Sequence, residues 1–305
     1  MRRCFAGVFL FVLIVSCASA GVSSEGQTTA QGSGARTSSP RGSLVIVGGG
    51  PRNEAVMQKF VQLAGGAGGA RVMVLPMASS LAETGPESVE AFRRMGVSAW
   101  SANLTRDEAM RAETARGLDS ATGIWFPGGD QARITAVLVG TPTERAIRAR
   151  YEAGAVVGGT SAGAAVMSTP MLTGDERHPG GARPDTTQSF ITIARDNVVV
   201  SQGLGLAEGA IIDQHFLRRR RHNRLISLVL EHPQLVGVGI DESTALVIEP
   251  GQPWRVLGAS AVIVYDARRS RVTPGSATLG ATDVRMHVLP SGSLFDPRTG
   301  EAQLP

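Results

Sequence analysis

The chain has 305 residues, 42% hydrophobic and 18% charged, with 38 Gly and 16 Pro. A chain of this size can bury a full core as one large domain or two modest ones, and its balance excludes a disordered, collagen-like or coiled-coil protein. The formal charge of +4 falls to +2 once Arg2 and Arg3, the only charges in residues 1–20, are removed; so small a charge gives no support for a nucleic-acid partner without a clustered basic face. Lys59 is the only lysine, so the cations are almost all arginine. Both cysteines, Cys4 and Cys17, lie within the first 20 residues, which leaves the folded body without a disulfide, a thiolate metal site or a cysteine nucleophile.

Arg2-Arg3 ahead of the apolar run Phe5 to Val15 reads as an export signal, because the run has the length of a signal-peptide core and falls short of the ~20 residues of a spanning helix. Ile14-Val15-Ser16-Cys17 has the shape of a lipobox, with Cys17 as the lipid-bearing first mature residue. Cleavage after Ala18-Ser19-Ala20 is the competing reading, and Arg2-Arg3-Cys4-Phe5 is faintly similar to a twin-arginine signal. The expected organisation is a signal over 1–20, a flexible Ser/Thr/Gly/Gln tether over 21–42 and a folded domain over 43–305. The expected location is extracytoplasmic, lipid-anchored to a membrane or secreted.

Ser43 to Val47 is a short apolar run that ends in Gly48-Gly49-Gly50 and precedes a helical pattern from about Asn53 to Leu63. Arg71 to Pro76, Val97 to Ala102, Thr122 to Pro127 and Ala155 to Gly158 repeat the theme, each followed by a loop and a helix-like stretch. Apolar runs of four to six residues alternating with helices predict a doubly wound, mostly parallel α/β sheet covered on both faces, with the site at the carboxyl ends of the strands. After His232 helices become sparse, and Val236 to Ile240, Ala245 to Ile248, Trp254 to Leu257 and Ala261 to Tyr265 predict a β-rich C-terminal part. The glycine triplet lacks the last glycine of G-x-G-x-x-G and is read as a tight turn near the site, not as a cofactor cradle.

Gly159-Thr160-Ser161-Ala162-Gly163 fits G-x-S-x-G directly between an apolar strand and a helical stretch, Ala164 to Met167. That is the context of a nucleophile elbow, in which the N–H of Ala162 would help hold an oxyanion. Serine needs a base. Of the five histidines, His178, His222, His232 and His287 lie in a loop, an arginine-rich helix, a helix end and a late strand, whereas His215 follows the apolar Ala210-Ile211-Ile212 and should emerge at a strand end of the same sheet. For the carboxylate that orients the imidazole, Asp241 and Glu242 follow a strand, Asp213 is close to His215 in sequence, and Asp175 and Glu176 lie in an irregular loop; composition does not separate them.

Gly128-Gly129-Asp130-Gln131, Gly158 to Ala164, Asp213-Gln214-His215-Phe216 with Arg219, Arg221 and Arg224, and Gly239 to Ala245 follow one another in this order. Together, from roughly Leu44 to Tyr265, they resemble the cyanophycinases, in the serine peptidase family that also contains aspartyl dipeptidase. The resemblance implies a class I glutamine-amidotransferase-like α/β fold and a triad of Ser161 as nucleophile, His215 as base and Glu242 as orienting carboxylate. It also implies Gly129 as a second oxyanion donor, and Gln131, Asp213, Gln214, Arg219, Arg221 and Arg224 along the substrate groove. No metal and no organic cofactor are implied, and a homodimer is suggested. The implied substrate, cyanophycin, is a polyaspartate with arginine amide-linked to each side chain, so free arginine carboxylates line it and enzyme arginines could bind them bidentately.

If Leu217 to Glu231 is one helix, four consecutive arginines, Arg218 to Arg221, cover most of its circumference, and at least one guanidinium must turn inward toward a carboxylate. No aromatic interleaving marks the run as a nucleic-acid patch. Thr173 to Gln188 is a Gly/Pro-rich departure from the family pattern that bears on substrate more than on catalysis. Beside a hydrolase of cyanophycin, two readings stand: a peptidase of short N-terminal-aspartate peptides, and a surface lipoprotein that binds polymer without turnover.

Overall fold

The computed structural model describes residues 41–177 and 190–305. The expected signal, Cys17, the tether up to residue 40, His178 and the Thr173 to Gln188 segment from residue 178 onward lie outside the described residues. Arg41 already donates its N–H to Glu152 O (3.3 Å), and a Cβ on Gly42 would fall 2.3 Å from Tyr151 O and Ala155 O. The folded body therefore includes the last two residues of the expected tether.

Strands β1 (Leu44–Val47), β2 (Arg71–Val74), β3 (Ser98–Ser101), β4 (Gly123–Phe126) and β5 (Val156–Thr160) pair in parallel in the order β3-β2-β4-β5-β1. They read as unbroken apolar runs because both faces are covered: Leu44 and Ile46 enter one core and Val45 and Val47 the other. Helices α1 (Glu54–Leu63) and α2 (Thr84–Arg94) supply Phe60 and Phe92 to the second core. On the opposite face lie α3 (Arg106–Ala109), α4 (Ala112–Arg116), which packs on α6, α5 (Gln131–Leu138), α6 (Pro142–Glu152) and α7 (Ala162–Ala165). Several helices begin on side-chain caps: the Asn53, Asp130 and Thr141 oxygens accept from the N–H groups of Val56, Ala132 and Glu144.

The C-terminal part divides in two. After the hairpin of β6 (Met171–Glu176) and β7 (Val198–Ser201) come β8 (Ala210–Asp213), α8 (His222–Glu231), β9 (Val236–Ile240), β10 (Thr244–Ile248), β11 (Trp254–Gly258) and β12 (Ala261–Asp266). The chain closes with β13 (Arg271–Val272), β14 (Ala281–Thr282), β15 (Arg285–Pro290), β16 (Leu294–Asp296) and β17 (Glu301–Gln303). β10, β11, β16 and β17 extend the main sheet antiparallel beyond β1, to nine strands, whereas β8, β9, β12 and β15 form a separate four-stranded sheet. This corrects the expectation that His215 leaves the same sheet as Ser161. β8 pairs parallel with β9, and Ile212 and Val238 bury against the Leu44 core, so the second sheet covers a face of the first.

Two local expectations also change. Thr173 to Glu176 is the end of β6, so Asp175 and Glu176 lie on a strand and not in an irregular loop. The arginine run is a turn, not the start of a helix: α8 begins only at His222, and Arg220 has φ 52°. Asp241 Oδ1 accepts the Arg218 N–H (2.9 Å), which holds the turn against the end of β9.

Phe60 is fully buried, 5.0 Å from Trp125 and 5.5 Å from Phe92 between ring centroids. Phe60→Ala should lower stability by about 3–5 kcal/mol, measured by urea denaturation, because truncating a packed aromatic leaves a cavity under the α1–α2 face.

Candidate active site

Ser161 joins β5 to α7 with φ 55° and ψ −110°, a conformation that costs energy in any residue but glycine. The two flanking glycines make room for it. A Cβ on Gly163 would lie 2.1 Å from Phe126 O, and one on Gly159 would lie 2.4 Å from Gly163 O. His215, also at positive φ (47°), follows β8, and Glu242 follows β9.

The three side chains meet in one hydrogen-bonded line. His215 Nε2 is 2.9 Å from Ser161 Oγ, and His215 Nδ1 is 2.7 Å from Glu242 Oε1. With the proton on Nδ1, the imidazole donates to the carboxylate and Nε2 is free to accept from the serine hydroxyl. Asp241, the neighbouring candidate, is used elsewhere: besides the Arg218 N–H it accepts the Ser260 hydroxyl at 2.7 Å. Of the other described histidines, His222 bonds the Tyr265 hydroxyl at 2.7 Å, His287 packs tilted against Phe295, and His232 ends α8.

The carboxyl end of β1 holds all three segments. Val47 O accepts the N–H of Ser161 (3.0 Å), Gly48 O that of His215 (2.6 Å) and Gly49 O that of Ser243 (2.8 Å). Gly49 has φ 103°, and a Cβ there would sit 2.4 Å from the imidazole; one on Gly50 would sit 2.7 Å from Glu242 Cβ. The glycine triplet is thus a turn pressed against His215 and Glu242. Sequence reasoning placed it near the site but missed this contact, for which the only signal is three glycines at a strand end.

The Gly128-Gly129 turn runs alongside, with a Cβ on Gly128 falling 3.4 Å from Ser161 Cβ, and Gly129 at φ 141° pressed onto Ala78 O. Ala162, the residue after Ser161, opens α7, and Gly129 follows Gly128 in this turn.

The residues expected along the groove differ in what they can still bind. Asp213, 1% exposed, is gripped by Arg224 through Nε (2.7 Å) and a second, shorter contact from Nη2, with Arg221 Nη1 3.7 Å away. Gln131 gives both amide hydrogens to Leu172 O and Thr173 O. These three, Asp213, Arg224 and Gln131, are committed internally and shape the wall. Arg221 also donates to Gln214 O at 2.8 Å, the Gln214 side-chain oxygen is buried without a partner, and Arg219 is half-buried. Within the run Arg218 to Arg221, the guanidinium that turns inward toward a carboxylate is that of Arg221, and Arg224, outside the run, joins it.

Burial pushes the His215 imidazole below its ordinary 6.5; the Glu242 hydrogen bond and charge oppose this, and the charges of Arg219 and Arg221 reinforce it. Burial and the adjacent Arg224 push the Arg221 guanidinium down to about 9 against the pull of Asp213, so it stays charged at neutral pH. Among the described residues no group of three or more His, Cys, Asp or Glu could hold a metal ion.

Residues 44–253 match the model of peptidase family S51. The chain belongs to that family. As an S51 member it is a serine-type peptidase. It is 33% identical to a cyanophycinase of Synechococcus elongatus over 275 residues, covering 86% of this chain and 81% of that one. It is 31% identical to a cyanophycinase of Geminocystis herdmanii over 271 residues, covering 85% and 95%. In fold, this S51 peptidase is similar to a peptidase from an acI-B1 Actinobacterium, with a TM-score of 0.57 at 21% identity over 86% of this chain and 96% of that one.

The His215 titration, followed by NMR, should have its midpoint below 6.5. Arg219→Gln should raise it by removing a cation, and Glu242→Gln should lower it further by removing the opposing carboxylate. Because the native value is depressed, the unfolded chain binds the proton first as pH falls. The stability tied to His215 is complete above 6.5 and is lost as pH drops through the native midpoint. Gly49→Ala, which drives a methyl group into the imidazole, should cut kcat/KM at least ~100-fold, as a misplaced base does.

Proposed function

We propose that this peptidase is an exported hydrolase that cleaves the polyaspartate backbone of cyanophycin to β-aspartyl-arginine dipeptides through an acyl-enzyme. The observation that carries the chemistry is the line Ser161 Oγ, His215 Nε2, His215 Nδ1, Glu242 Oε1 at 2.9 and 2.7 Å. Ser161 Oγ attacks the backbone carbonyl while His215 Nε2 takes its proton. Glu242 steadies the imidazolium, and the N–H groups of Ala162 and Gly129 receive the oxyanion. His215 then passes the proton to the leaving amine, and water, activated by the same imidazole, releases the acyl group. A base depressed below 6.5 is neutral, and so competent, at neutral pH.

Two further features favour this substrate. Arg221 and Arg224 share the single carboxylate of Asp213, and the Arg219 charge acts on both Arg221 and His215, which leaves a net positive charge beside the triad for the free carboxylates of the polymer. The curated relatives at 31 to 33% identity carry the name cyanophycinase. The parallel sheet with a serine turn after β5 favours the class I glutamine-amidotransferase-like architecture. Export, a lipid on Cys17 and a homodimer belong to the same reading, since a polymer too large to enter a cell is met outside it.

A serine-reactive phosphonate should label Ser161 in the folded protein, and Ser161→Ala should abolish both labelling and turnover. Incubation with cyanophycin should release β-aspartyl-arginine. Cleavage of an aspartyl dipeptide alone would overturn the substrate in favour of short peptides, and folded protein that neither labels nor turns over would overturn catalysis.

A further inference from the structure

On the α1–α2 face of the main sheet, beside the serine turn, lies a cavity of about 190 Å³ that none of the groove residues above lines. At one end it touches Gly50, Gly128 and Thr160, the immediate neighbours of Glu242 and Ser161. Its walls are Val47, Val56, Met57 and Trp125, all buried, and its rim carries the exposed Arg52 and Glu87. Glu87 projects from the first turn of α2 next to Thr84 and Ser88, which also line the cavity. The nearby Glu90 is 3.7 Å from Arg94, whereas neither Arg52 nor Glu87 has an ion pair, with each other or with any other described residue.

We infer that this cavity is a second subsite, which takes one arginine side arm of the substrate, with Glu87 receiving the guanidinium and Arg52 the arm's free carboxylate. The size admits a single side chain, not a stretch of polymer. An apolar wall ending in a charged rim suits an aliphatic stem with a cationic head. Arg52 stands two residues after Gly50 on the loop that follows β1, and in the arm the carboxylate lies closer to the polymer backbone than the guanidinium does. The inference rests on the proposed hydrolysis of cyanophycin and adds the residues that select arginine.

The test compares a tetrameric β-aspartyl-arginine peptide with its citrulline analogue, in which a neutral ureido group of the same shape replaces each guanidinium and the carboxylates are kept. With the native enzyme, KM should be roughly tenfold or more lower for the arginine peptide, the equivalent of one charged hydrogen-bonded contact. Glu87→Gln should erase that preference while leaving kcat on both peptides, and KM for the citrulline peptide, within about twofold. Arg52→Gln should weaken both peptides equally, because both carry the carboxylate. The same comparison by calorimetry on Ser161→Ala protein reads the subsite without turnover. An arginine preference lost with Glu87→Gln there supports the subsite even if the native enzyme fails to cleave. A preference that survives Glu87→Gln, or no preference at all in folded protein, overturns it.

Discussion

Three consecutive carbonyls at the end of β1 carry the candidate active site. Val47, Gly48 and Gly49 each accept one backbone N–H, from Ser161, His215 and Ser243, so a single strand end fixes segments that leave β5, β8 and β9. Those segments belong to two sheets, and no local interaction along the chain could set the distance between them. The glycines let the strand end do so: without side chains, the backbone comes close enough for its carbonyls to reach and for the imidazole to lie against it. The positive φ of Ser161, His215 and Ser243 is strain held in place by these bonds and by packing on both sides.

Electrostatics is arranged around the same point. Asp213 is buried and would be costly alone, so Arg224 pairs with it from within α8 and Arg221 approaches from the turn before that helix. The cluster then holds more cations than anions. That excess helps hold His215 neutral and gives carboxylates a reason to approach. Glu242 works in the opposite direction, stabilising the charge that the imidazole acquires only as it takes a proton. A base that is neutral at rest and supported when protonated is what acyl transfer requires.

The division of labour between the sheets explains the long chain. The parallel half presents the serine turn and, on its α1–α2 face, the cavity with Arg52 and Glu87. The second sheet brings the base, its carboxylate and the arginines, and it closes one face of the first through a shared core. On the proposed reading, substrate meets the arginines beside His215 on one side and Arg52 with Glu87 on the other.

The sequence by itself determined the parallel strands, because strands buried on both faces must be apolar throughout, and it determined the serine turn, because G-x-S-x-G between strand and helix leaves few alternatives. It also singled out His215 by its place at a strand end. Among Asp213, Asp241, Glu242 and the acids near Asp175, the residues alone left the orienting carboxylate open. The tertiary structure brings Glu242 to 2.7 Å from the imidazole, while Asp241 turns to Ser260 and Asp213 to Arg224. Assignment of His215 to a second sheet, the turn in place of a helix at Arg218 to Arg221, and the use of Gly49 as a seat for the imidazole were likewise decided only in three dimensions. The reason is common to all of them: strand pairing, ion pairing and close backbone approach join residues far apart in the chain, and a periodicity or a motif records only what its own neighbours require.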